Sequence, residues 1–177
     1  MSIHLGRLKK VNLREFFKDE ARDFTPWLAE QDNLELLGET LGLDIELENT
    51  EVRIGRFSAD IVALDRSSNR TIIIENQLEK TNHDHLGKII TYGGGKDAGI
   101  VIWICKKIQQ EHRKGLDYLN DISTEDYSFF GIEMELWKIG KSEPAPKFNI
   151  VVSPNEWSKS VKSSMLSSNK LTETKIL

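Results

Sequence analysis

Apolar residues along the chain alternate between two periods. From Thr25-Pro26, an N-cap followed by proline in the first turn, Trp27, Leu28, Leu34, Leu37 and Leu41 recur at helical spacing as far as Gly42. This predicts a first helix, with an interruption near Asp32-Asn33. Three extended segments follow, over 44–54, 57–65 and 71–77, the last two separated by the polar turn Arg66-Ser67-Ser68-Asn69. They suggest a β-meander. From Asn82 the period is again helical, with Leu86, Ile89, Ile90 and Gly93 on one face, and the run Gly93-Gly94-Gly95 ends it. The rest reads as a strand over 99–105, a helix over 109–120 with Leu116 and Leu119 inward, a strand over 127–139 and a short strand over 148–152. The expected fold is α/β.

Length sets the domain count. A chain of 177 residues suits one domain, placed at 25–152, with a basic arm at 1–24 and a linker or tail at 153–177, where Ser, Lys, Asn and Thr predominate. The net charge of -4 weighs against a protein that coats nucleic acid indiscriminately, but the first residues carry Arg7, Lys9, Lys10, Arg14 and Lys18 against Glu15 alone. A basic edge is therefore available. The single cysteine, Cys105, sits in an apolar run, which excludes an internal disulfide and fits a reducing cytoplasm. The start MSIHLGRLKK lacks the apolar core of a signal peptide, and no run approaches the ~20 apolar residues of a membrane span.

The third strand, 71-TIIIENQ-77, ends on groups that are costly to bury. If Asp65 and Arg70 close the hairpin around the four-residue turn, Asp60 stands across from Glu75 and Ser58 across from Gln77, all on one face. Directly opposed side chains have Cβ atoms ~4.5–5.5 Å apart, and like charges there destabilise a sheet. A shared proton or a bound cation would offset the repulsion. Two carboxylates with an amide oxygen nearby suit a hard ion, Mg²⁺ or Mn²⁺. On the following helix His85, Lys88 and Tyr92 share a narrow arc beside the apolar face, a polar stripe at the edge of the packing surface. His83 and His85 point to different helix faces and lack a third ligand at zinc spacing, and His4 and His112 show no partner in the sequence. Glu35 and Glu39 stand one turn apart on the first helix, where Glu39 could reach the same cleft.

The order helix, three strands, helix, strand, with Asp in the second strand and Glu-x-Gln in the third, resembles the PD-(D/E)XK nuclease superfamily. The resemblance implies a restriction-endonuclease-like αβββαβ core, a mixed central sheet flanked by helices. It further implies hydrolysis of DNA phosphodiester bonds, with Asp60 and Glu75 as ligands of Mg²⁺ or Mn²⁺. Gln77 would take the place of the usual lysine, and Glu39 is a further acid from the first helix. The segments 23-DFTPWLAE-30, 74-IENQLEKTNHDHLGKIITY-92, 135-ELWKIG-140 and 144-PAPKFNIVV-152 are similar to an uncharacterised prokaryotic nuclease-like family, over residues from about 11 to 157. In that family this domain often precedes a second one, so a C-terminal domain beyond this chain is an expectation, as is a homodimer.

Two positions depart from the superfamily pattern. Gln77 stands where lysine is usual, and a Gln-x-x-x-Tyr helix motif of related exonucleases here reads Lys88-x-x-x-Tyr92. A lysine moved onto the neighbouring helix occurs in that superfamily, and Lys88 is placed for it. DNA contacts are expected from His85, Tyr92, Arg7, Lys9 and Lys10. The alternative is a catalytically inactive nuclease-fold module that binds nucleic acid or a protein partner.

Overall fold

The structure, a computed structural model, describes residues 1–95 and 98–155. Chain order is β1 (Leu8–Val11), α1 (Leu13–Phe16), a π-helical turn (Glu20–Phe24), α2 (Thr25–Ala29), α3 (Gln31–Leu41), β2 (Ile45–Ile54), β3 (Phe57–Asp65), β4 (Arg70–Lys80), α4 (His83–Gly95), β5 (Ile100–Lys107), α5 (Gln110–Ile122), β6 (Ser128–Ile139) and β7 (Ala145–Val152). The fold is α/β, and it contains the expected run of helix, three strands, helix and strand, from α3 to β5. Of the tail expected at 153–177, residues from 156 onward lie outside the described ones.

Pro26 opens α2, but the predicted first helix breaks at Glu30, not at Asp32-Asn33. Glu30 is extended (ψ 137), and Asn33 Nδ2 closes the gap on the Trp27 carbonyl at 2.6 Å. Gly42 ends α3 in the left-handed region (φ 68), a conformation that costs glycine little.

Among the described residues the sheet has seven strands. β2, β3 and β4 form the antiparallel meander, and β4, β5 and β6 run parallel. The second half of β6 is flanked twice: Leu136 and Trp137 pair with Val11 and Lys10 of β1 and also with Pro146 and Ala145 of β7. β1 therefore lies on the β5 side of β6, just past the last β5–β6 pair, Cys105 with Glu133.

Two cores sandwich this sheet. On one face Leu34, Leu37 and Leu41 of α3 pack with Ile61, Ile74, Leu78 and Ile102. On the other Ile89 and Tyr92 of α4 and Leu116 of α5 pack with Val62, Ile73 and Trp103. The alternation of β4 thus sends Ile72, Ile74 and Leu78 to the α3 face and Ile73 to the α4 face.

The segment 1–24, expected as an arm, is mostly part of the domain. β1 is a sheet strand, and Leu13, Phe17 and Phe24 are buried in the α3-side core, where Phe24 also stacks against Trp27. The lysines of this stretch masked its apolar positions. Among the described residues no helix is long and apolar enough to cross a membrane.

Candidate functional site

The turn between β3 and β4 sets the register. Asp65 accepts hydrogen bonds from the hydroxyls of Ser67 and Ser68, and Asn69 takes the left-handed conformation (φ 58) that returns the chain. The ladder then runs from Asp65–Arg70 to Ile61–Ile74 as the hairpin geometry predicts. It stops one step short of the acids. Asp60 is not a ladder partner of Glu75; its Oδ2 instead accepts the Asn76 backbone N–H at 2.7 Å, a carboxylate taking the amide that would have bonded across. Ser58 is likewise not paired with Gln77; on its other edge it pairs with Arg53 of β2, and its carbonyl accepts the Tyr92 hydroxyl at 2.9 Å. Glu51, held at positive φ (53), adds a third negative charge near Asp60.

Glu75 is fully buried beneath α4. The helical arc read from the sequence delivers two of its three members to this carboxylate: Lys88 Nζ lies 2.8 Å from Oε1, and His85 Nε2 lies 3.6 Å from the same oxygen. Tyr92 is close enough for the Glu75 charge to push up its pKa after burial has done so, yet its proton goes to Ser58. With the Tyr92 proton given to Ser58, Glu75 Oε2 is left without a donor of its own, although the Tyr92 hydroxyl stands close enough to the carboxylate to help hold its charge.

The electrostatics follow from burial. Desolvation, then the Glu75 charge, raise the pKa of Asp60 from 3.8 to about 7. Desolvation also raises that of Glu75, although Lys88 pulls against it. Burial works against the Lys88 charge, but the hydrogen bond and charge of Glu75, with Asp60 behind them, outweigh it and leave the ammonium firmly protonated. His85 is driven down to about 4 by desolvation and then by Lys88. Its tautomer follows from its contacts, because Nδ1 lies 2.9 Å from Asn82 Oδ1 and must donate to it. The Nε2 lone pair then faces Glu75, acceptor against acceptor.

Two more groups on this face lack partners. Gln77 Oε1 is buried with none, and so is Nε1 of Trp103, which sits directly beside Glu75 in the β4–β5 register and stacks its ring parallel to His85. Buried acceptors without donors are costly, and Glu75 Oε2 and Gln77 Oε1 are two of them within three residues of one strand. Among the described residues no three His, Cys, Asp or Glu side chains are gathered closely enough to hold a metal ion by themselves. Mg²⁺ commonly takes only one or two carboxylates, with water and substrate oxygens supplying the rest. Asp60, Glu75 and the Gln77 amide oxygen fit that pattern.

Other expected positions fall elsewhere. Glu39 is exposed on α3, across the sheet from Glu75, and cannot reach the site. The helical acid near the site is Glu20, at the start of the π-helical turn: it is held by the Leu78 backbone, faces Arg14 Nη2 at 3.5 Å and adds its charge to those acting on Glu75 and Lys88. Its signal, Asp19 three residues ahead of Arg22 as a helix cap, lay just upstream of the Thr25-Pro26 start. Arg7 and Lys9 are exposed, and Lys10 pairs with Glu135 at 2.6 Å on the β1–β6 ladder, away from Asp60 and Glu75. His112, without a partner in the sequence, is buried between Thr81 Oγ1 at 2.7 Å and His83 Nδ1 at 3.0 Å. His83 and His85 do point to different partners.

No family model matches the chain, and no curated protein matches it. Among solved structures it is similar to a repair endonuclease from Pyrococcus abyssi, 14% identical with a TM-score of 0.38 over 51% of this chain and 42% of that one. It is also similar to EndoMS in the structure of an EndoMS–dsDNA2 complex, 13% identical with a TM-score of 0.42 over 59% of this chain and 45% of that one. The chain spans less than half the length of either.

Proposed function

We propose that this protein is a metal-dependent nuclease that hydrolyses phosphodiester bonds in DNA, with its site on the α4 face of the β3–β4 hairpin. The observation that supports this most is the pair Asp60 and Glu75, two carboxylates brought together in a buried setting with acceptor oxygens left over on Glu75 and Gln77. Asp60, Glu75 and the Gln77 amide would hold Mg²⁺ or Mn²⁺, which when bound supplies Lewis-acid polarisation of the phosphate and a more acidic water. Lys88 holds a positive charge at the same place, positioned to stabilise charge on the phosphoryl oxygens. Gln77 orients water by its amide, and His85 offers a neutral Nε2 lone pair for a proton. The reading carries DNA as the partner and the cytoplasm as the location.

The second reading, a module of this fold that binds without cutting, draws on the Lys88–Glu75 ion pair, which neutralises one acid with no metal, and on Gln77 in the lysine position. Cleavage of linear, nicked, branched and modified DNA with Mg²⁺ or Mn²⁺ separates the two. We expect strand breakage that Asp60→Ala and Glu75→Ala each abolish while both variants remain folded. No cleavage of any DNA form, with no change in melting temperature on adding Mn²⁺, would leave the binding module.

A further inference from the structure

Beyond Gln77 the strands β4 and β5 end on a row of lysines. Continuing the parallel register from Gln77–Cys105 would set Glu79 opposite Lys107, but the ladder shifts, and Lys80 stands there instead. Glu79 is turned to Arg14, whose Nε lies 2.9 Å from Oε1. The shift therefore replaces an opposite-charge neighbour of Lys107 with a like-charge one. Lys107 keeps Glu133 at 3.1 Å, whereas Lys80 and Lys106 are exposed and have no anionic partner among the described residues. Lys10 reaches in from β1 on its ion pair with Glu135.

Two clefts of about 540 and 730 Å³ open along this row, both lined by Lys80 and Lys107. Lys10, Lys80, Lys106, Lys107 and Arg113 face Glu111, Glu133 and Glu135 across them, an excess of cations on a chain whose net charge is -4. Val11, Leu13 and Met134 in the wall of the smaller cleft are buried, whereas Lys10, Lys80, Lys106 and Lys107 of its lining are exposed.

We propose that this row binds the phosphate backbone of a nucleic acid strand, placing the run of the bound chain along the carboxyl ends of β4 and β5. That the strand continues into Asp60 and Glu75 rests on the nuclease reading. β4 itself is the ruler between the two: from Glu75 to Lys80 it advances roughly 3.3 Å per residue, about 16 Å, which matches the rise of about five base-pair steps along the axis of a duplex.

The test is binding of a labelled DNA duplex to the full chain in EDTA, followed by anisotropy over a range of KCl, for wild type, Lys80→Gln/Lys106→Gln and a control, Lys114→Gln/Lys141→Gln. The row variant is expected to bind at least ~10-fold more weakly at moderate salt, with the slope of log K against log salt reduced by roughly two, since each neutralised phosphate contributes about 0.9. It should melt no lower than wild type, because it removes a repulsion. The control should match wild type. Equal affinity and slope for the row variant, no binding by wild type even at low salt, or equal competition by poly-glutamate, the mark of an acidic-peptide site, would each overturn the proposal. The nuclease reading fails separately: a chain that binds DNA through the row yet cuts nothing with Mn²⁺ loses its catalysis and keeps this surface.

Discussion

Because burial and Glu75 lift the Asp60 pKa from 3.8 to about 7, the folded protein without metal holds a proton there that the unfolded chain has already released. A group with a raised folded pKa adds its stabilisation fully below its unfolded value and loses it as pH rises through the folded one. The melting temperature of wild type relative to Asp60→Asn is therefore expected to drop between about pH 4 and pH 7, and Mn²⁺ to restore it above pH 7 in wild type alone. A constant difference over that window would show that burial and Glu75 do not raise the Asp60 pKa. Lys88→Met keeps the alkyl stem and removes the charge, and should lower single-turnover cleavage by ~10²-fold or more, with Gln77→Lys tolerated and partly rescuing it. If Lys88→Met cleaves normally while Gln77→Ala is dead, the amide works alone. His85, Lys88 and Tyr92 were readable in the sequence because one helix repeats every 3.6 residues. Glu20 had only the Asp19 cap to mark it, because a π-helical turn has no such repeat, and Glu39 was misplaced because a helical acid reveals its face only when the sheet beneath is known.

The hairpin register was legible because a four-residue turn and period-two alternation fix it from either end. Its termination was not, since a side chain taking a backbone amide leaves no mark in the pattern of apolar residues. The same holds for the irregularity that brings Lys80 beside Lys107, and for β1, four residues long with two lysines at its centre. One close approach offers a direct check on the α3 side. A Cβ built on Gly38 would lie 2.5 Å from the Leu43 carbonyl oxygen, a backbone atom that cannot swing aside. Alanine gains about 1 kcal/mol over glycine in a helix interior, so an open site would be stabilised by the change. Here Gly38→Ala should lower the melting temperature; a rise would mean that the α3–β2 turn is looser than the structure has it.

Among the described residues the strands form one sheet with a helical layer on each side, and the stretch from Leu8 onward is structural. Removing residues 1–24 strips Leu13, Phe17 and Phe24 from the core. At roughly 2–5 kcal/mol for each large apolar side chain lost, the sum rivals the 5–15 kcal/mol that holds a typical domain folded. The truncated chain should show no cooperative thermal transition by circular dichroism, whereas removal of residues 1–6, all exposed, should leave it unchanged. A cooperative transition in the longer truncation would restore the reading of this stretch as an arm.

The pairing of β1 with β6 also has a kinetic consequence. Lys10 meets Glu135, 125 positions further along the chain. β1 is synthesised before its partner β6, and at 5–20 residues per second the wait between them is on the order of ten seconds. Contacts this distant form late and slowly. During that interval Val11, Leu13 and Phe17, buried in the folded protein, are uncovered on the nascent chain, set among Arg7, Lys9, Lys10, Arg14 and Lys18. Charges set among apolar residues in this way act as gatekeepers against premature association, so the basic composition of the amino terminus protects a strand in waiting.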